Sequence, residues 1–313
     1  MPDFYGLPTG VLESPHLRVE YLTTAGPRLV RLYLAGRPEN LLAELPGWGW
    51  ETPYGCYYPY GGHRLWCAPE SMPETYIPDS DGLVVQELAG GIRLVRPADK
   101  ETGIARSIAV RLDPQRPALT LHHTLRNEGA AAVEIAAWAI TQLPLGGWAL
   151  LPQNTSPLDK AGLRPNRNVV LWPYTRWEDE RLYRQGEVFL FHARPHPTPF
   201  KIGYFNSRGW LAYVRRGVLF RKRFAVHRDR AHADLGCNAE VYANDRFVEL
   251  ETLGPLVQLE PGQAVSHVEQ WEIALLPQGS NEEETLRRWF EHEGISLPTD
   301  TTDIGGDDRS GEE

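Results

Sequence analysis

Short apolar runs alternate with turn residues along almost the whole chain. Runs rich in Val, Leu, Tyr and Trp occupy 17–22, 29–34, 83–88, 92–96, 104–112, 118–125 and 133–140. The same texture continues through 188–192, 210–214, 218–226, 246–251 and 267–275. Within 118–125 the leucines at 119, 121 and 125 share one face, the period-two mark of a half-buried strand. Many short strands between Gly and Pro turns predict a β-sandwich or barrel. One segment, 281–293, reads as helix. Ser280 is its N-cap, with Glu283 completing a capping box. Leu286, Trp289 and Phe290 form an apolar stripe at helical spacing, and Gly294 stops the run.

No linker divides the chain, so 1–298 is read as one domain. Residues 151–173 are rich in Pro and Asn and predict a long functional rim or a plain surface excursion. The net charge is −9, but residues 299–313 hold six acids against Arg309 alone. That stretch is read as a disordered acidic tail. The rest of the chain is nearly balanced, which argues against nucleic acid as a partner. No window approaches the ~18 apolar residues of a membrane span, and Met1–Gly6 lacks the features of a secretory signal, so a cytoplasmic protein is expected.

Cysteines stand only at 56, 67 and 237, with no CxxC pair, so neither a disulfide framework nor a structural zinc is expected. His122 and His123 are strand neighbours pointing to opposite faces and cannot readily share an ion. No GxSxG, HExxH, Walker A or GxGxxG occurs, so no cofactor is expected. Only four of the 32 basic residues are lysine. Lys201, flanked by Phe200 and Ile202, is a candidate ligand-binding amine, whereas Lys222 in an Arg-Lys-Arg run reads as solvated.

Three segments in order resemble the aldose 1-epimerase (galactose mutarotase-like) superfamily. They are an opening hairpin over 17–32 ending in Glu39-Asn40-Leu41-Leu42, then Gly61-Gly62-His63-Arg64-Leu65-Trp66, then Glu249-Leu250-Glu251-Thr252-Leu253 with Pro261-Gly262 beyond. The sequence is most similar to a bacterial branch in which Ala-Pro-Glu follows, here Ala68-Pro69-Glu70. The resemblance implies an all-β fold, a large antiparallel β-supersandwich with a ligand groove on one sheet and one short C-terminal helix. It implies a carbohydrate ligand, with a glutamate taking the anomeric proton and a histidine protonating the ring oxygen. Carried over, Glu251 is the base and Arg64 binds sugar. No histidine stands in 138–143, where the family keeps its acid, so His63 is the candidate replacement. Trp66 is a stacking platform. Asn238, Glu240 and Tyr242 alternate along one strand face and offer amide, carboxylate and phenol to a polyol. Two alternatives stay open. One is a non-catalytic sugar-binding or sensing protein. The other is a lyase or isomerase of acidic sugars that holds a carboxylate with Lys201 and Arg64.

Overall fold

A computed structural model describes residues 3–184, 186–277 and 282–292. Two large antiparallel sheets face each other across one core. The first has 11 strands and runs, edge to edge, 3–4, 7–13, 17–22, 28–34, 63–68, 133–144, 247–253, 239–243, 200–204 and 170–171, with 257–259 paired to the start of 133–144. The second has 10 strands in the order 182–183, 188–193, 147–152, 210–215, 218–224, 264–275, 118–127, 104–112, 91–96 and 84–88. The predicted strands are all present, and the all-β expectation holds.

Helix Glu282–His292 buries Leu286, Trp289 and Phe290 against Trp148, Leu190 and Trp210 on the outer face of the second sheet. The expected N-cap Ser280, the stop at Gly294 and the acidic tail lie outside the described residues. Two other single turns, Glu74–Tyr76 and Ala233–Gly236, complete the helical segments among the described residues. No helix among them is long and apolar enough to cross a membrane.

Gly61 and Gly62 open strand His63–Ala68, and both have positive φ, at 93° and 71°. A Cβ on Gly62 would meet the Leu29 carbonyl oxygen at 1.9 Å, and one on Gly61 the Ala43 carbonyl oxygen at 2.1 Å. Only glycine fits, because both the dihedral and the close backbone approach demand it. The approach is to the protein's own backbone. It sets the strand's starting point, and with it which side chains face in and which face out.

The residues facing in are largely aliphatic, but a polar chain crosses the middle of the core. His123, on the same inward face as Leu119, Leu121 and Leu125, donates Nδ1–H to the His267 carbonyl at 3.0 Å. Its Nε2 must then accept, and takes the Nε2–H of His63 at 2.7 Å. That leaves His63 Nδ1 to accept from the Thr141 hydroxyl at 2.9 Å, and Thr141 in turn accepts from the Lys222 ammonium at 3.0 Å. Lys222 also donates to the Leu250 carbonyl at 3.0 Å and pairs with Glu269 at 2.7 Å. Glu269 further accepts from Thr252 and from Trp271 Nε1. The solvated reading of Lys222 is corrected here. Its strand, Val218–Phe224, has both faces engaged, and Lys222 points inward with no exposed surface.

This ladder works only with neutral imidazoles. Burial pushes the pKa of His63 well below its ordinary value, that of His123 to about 4 and that of His267 to about 3. A histidine depressed in the fold stabilises the fold fully above 6.5 and loses that contribution as pH falls toward the folded value. Glu269 is also depressed despite its burial, chiefly by Lys222, so it adds loss on the same acidic side. Urea denaturation should therefore show stability falling steeply as pH drops from 6.5 toward 4. His123→Asn should flatten part of that slope. Glu269→Gln leaves a buried ammonium without its carboxylate and should cost about 3–5 kcal/mol at neutral pH.

Candidate functional site

The outer face of the same central strands carries a cleft of about 330 Å³. Its floor follows from strand register. Gln142 lies opposite Glu249, Glu249 opposite Tyr242, and Tyr242 opposite Lys201, across four adjacent strands. Arg64 lies opposite Ile140, and Ile140 opposite Glu251, one row further along. Rings form the walls: Trp48, Trp50, Trp66, Tyr76, Phe247, Trp138, Trp172 and Tyr174, with Trp66 and Trp138 packed on each other at 5.5 Å between centroids.

At one end Arg64 donates Nη2–H to Glu249 Oε1 at 3.0 Å, and Gln142 Nε2 donates to the same oxygen at 2.9 Å. The Arg64 guanidinium stacks on Trp66 with its carbon 4.1 Å from the ring centroid. Its Nε and Nη1 are buried and meet no partner, nor does Gln142 Oε1. Burial raises the Glu249 carboxyl; Arg64 opposes the shift and Glu251 adds to it, so Glu249 is pushed up to about 7.

Lys201, reaching back over the neighbouring strands, pairs with Glu240 at 2.8 Å and with Glu251 at 3.1 Å. Trp138 Nε1 donates to Glu251 at 2.8 Å. Burial disfavours the Lys201 charge, but Glu251 and Glu240 outweigh it and hold the ammonium well above its ordinary pKa. Glu240 itself is driven well up by burial, with Glu251 adding repulsion. Lys201 sits between the Trp138 and Trp172 rings, 4.7 and 4.6 Å from their centroids. Gly203 makes this possible. A Cβ there would meet Cys237 Sγ at 2.7 Å and the Trp172 ring at 3.2 Å. Trp172, near the end of the 151–173 stretch, is a wall of the cleft.

Of the residues singled out from sequence, Arg64, Trp66, Lys201 and Tyr242 line this cleft. Glu251 and Glu240 lie beneath it, 0% exposed, behind Lys201. His63 is not in the cleft. Neighbours on a strand face opposite sides, so the side that presents Arg64 sends His63 into the core. Asn238 precedes its strand and braces a loop instead, accepting from the Asn206 amide at 2.6 Å and donating to its carbonyl at 3.2 Å. Sequence reasoning did not single out Gln142, Trp138, Trp172 or Tyr76. Glu249 entered only as part of the Glu249-Leu250-Glu251-Thr252-Leu253 segment, with Glu251 taken as the base.

His63, His123 and Glu269 place ligand atoms within 4.8 Å of one another, the spacing of a metal site. Their chemistry does not suit one. The facing imidazole nitrogens already bond each other, and the Lys222 ammonium supplies the positive charge that Glu269 needs.

No protein-family model matches the chain, and no curated protein matches its sequence. Solved structures do match. A galactose mutarotase-like protein from Lactobacillus casei aligns with TM-score 0.52 at 10% identity, over 85% of this chain and 100% of that one. A galactose mutarotase-like protein from Clostridium acetobutylicum gives 0.51 at 10%, over 88% and 98%. A TPR-domain containing protein from Parabacteroides distasonis gives 0.58 at 13%, over 94% of this chain and 49% of that larger one. The fold is that of the galactose mutarotase-like proteins.

Lys201→Met removes the cation that pairs with both Glu240 and Glu251. It should cost about 3–5 kcal/mol by urea denaturation at neutral pH. The deficit relative to wild type should shrink on acidification, as Glu240, already driven up by its burial, takes up a proton. Gly203→Ala should displace Trp172, shifting its fluorescence and costing about 1–3 kcal/mol.

Proposed function

We propose that this galactose mutarotase-like sandwich binds a carbohydrate in the cleft, and that Glu249 exchanges protons with the bound sugar in an aldose 1-epimerase-like interconversion of anomers. The observation that carries the reading is the set of polar side chains on the cleft floor that keep unpartnered atoms just beneath its surface. Arg64 Nε and Nη1 need acceptors, while Gln142 Oε1 needs a donor. Lys201 has three N–H donors and two carboxylate partners, which leaves one for a ligand. A filling ligand must both donate and accept at several points, which is what hydroxyl groups do. A carboxylate only accepts, and Arg64 already faces Glu249. The acidic-sugar alternative is therefore the poorer match. The surrounding tryptophans suit the C–H faces of a pyranose.

The chemistry runs on a carboxyl poised near neutrality. Ionised Glu249 takes the proton from the anomeric hydroxyl. The C1=O1 bond forms as the ring C1–O5 bond breaks, and the electron pair left on O5 is held by Arg64 N–H. O5 then takes the proton back from Glu249. Rotation about C1–C2 and reversal of the steps gives the other anomer. Glu251, the base implied by family resemblance, would act through Lys201 by holding the ammonium charged.

Polarimetry of fresh α-D-glucose and α-D-galactose tests the reading. Acceleration should rise with pH through about 7 as Glu249 ionises. Glu249→Gln should lower it about 10²–10⁴-fold and remove the inflection. A second reading, sugar binding without catalysis, is favoured by the lack of any histidine among the described residues lining the cleft. Binding by calorimetry with no acceleration at any pH would select it.

A further inference from the structure

We infer that the sugar held in the cleft carries a positive charge, and that its ammonium group docks on Glu70 among the rings of the cleft wall. The inference deepens the carbohydrate reading and rests on it.

The first argument is a charge count. Arg64, Lys201, Glu70 and Glu249 line the cleft, and Glu240 and Glu251 lie beneath it. Four carboxyls therefore face two cations. Both cations are already engaged, Arg64 with Glu249 and Lys201 with Glu240 and Glu251. Glu70 is left without a cation among the described residues. It is exposed, so a ligand can reach it. Tyr76 donates its hydroxyl proton to Glu70 Oε1, and no side chain among the described residues donates to Oε2.

The second argument is what surrounds that carboxylate. Tyr76 packs against Trp66 and Trp50, at 5.3 and 5.4 Å between centroids, and both tryptophans line the cleft. Ring faces attract cations, so an ammonium set between a carboxylate and aromatic rings is stabilised by both. The cleft already holds one ammonium in this way. Lys201 Nζ stands 4.7 Å from the Trp138 centroid and 4.6 Å from that of Trp172, with Glu240 and Glu251 as counter-charges.

The third argument is electrostatic relief. Within the protein, protons are what offset the surplus of carboxyls. Burial drives Glu240 well up, and burial with Glu251 nearby pushes Glu249 up to about 7 despite Arg64. A cationic ligand offsets the same charge, a neutral one does not, and an anionic one adds to it. The ligand class is an amino sugar, with hydroxyls for the floor and an ammonium for Glu70.

Isothermal titration calorimetry of the full chain with glucose, galactose, glucosamine, galactosamine and N-acetylglucosamine tests this. An amine beside an electron-withdrawing carbon ionises near ~7.7, so both amino sugars are cations at about pH 6. There at least one of them should bind about tenfold more tightly than its parent sugar, and N-acetylglucosamine should gain nothing over glucose. At about pH 9.5, with the amine neutral, the advantage should vanish. Glu70→Gln, at an exposed position, should bring the ratio of amino-sugar to parent-sugar affinity close to one. Glu74→Gln removes a nearby carboxylate that does not line the cleft, and should keep the ratio. Equal affinities for amino and parent sugars would overturn the inference and leave the carbohydrate reading standing. So would an advantage that survives Glu70→Gln, or one that Glu74→Gln removes as fully. No binding by any of the five sugars would overturn both.

Discussion

An ion pair with no exposed surface, Lys222 to Glu269 at 2.7 Å between neighbouring strands of the second sheet, anchors the polar contacts that reach across to the first sheet. Burying two charges is costly unless each finds its partner and its remaining hydrogen bonds. Here both do. Lys222 reaches across to Thr141 and the Leu250 carbonyl on the opposite sheet, and Glu269 takes Thr252 and Trp271. Breaking any of these contacts would leave a buried donor or acceptor unmet, so the network admits one alignment of the sheets.

The strands it grips are those that carry the cleft. His63, Thr141, Leu250 and Thr252 face the core from three neighbouring strands. The intervening residues Arg64, Gln142, Glu249 and Glu251 face the other way. Strand alternation makes each cleft residue on these strands the neighbour of a core residue. A one-residue slip would exchange the two sets. The paired glycines at 61 and 62, pressed against the backbone of neighbouring segments, set the register of the strand with Arg64 at its second residue.

The site is a second buried charge assembly, of a different kind. Its carboxyls outnumber its cations: Glu240, Glu249 and Glu251 face Arg64 and Lys201. Excess negative charge out of water raises carboxyl pKa values, and the effect reaches the cleft surface at Glu249. The interior ladder has its charges matched and its imidazoles neutral. A matched network fixes geometry, and an unmatched one leaves a proton to exchange.

The amino-acid order by itself determined the strand-rich architecture, the amphipathic helix face at Leu286, Trp289 and Phe290, and the importance of the Gly-Gly-His-Arg segment. These depend on local periodicity and turn chemistry, which need no partner to be read. Alternation also placed His123 with Leu119, Leu121 and Leu125, and Glu249 with Glu251. What it left open was which face of each strand was inside. That depended on the second sheet and decided three outcomes. Lys222 came from a basic run into the core, His63 came away from the cleft, and Glu249 took the cleft position above Glu251. Trp172 and Lys201 are far in the chain from Trp138 and Gln142. Only the pairing of distant strands, driven by burial of their apolar faces, could bring them around one space.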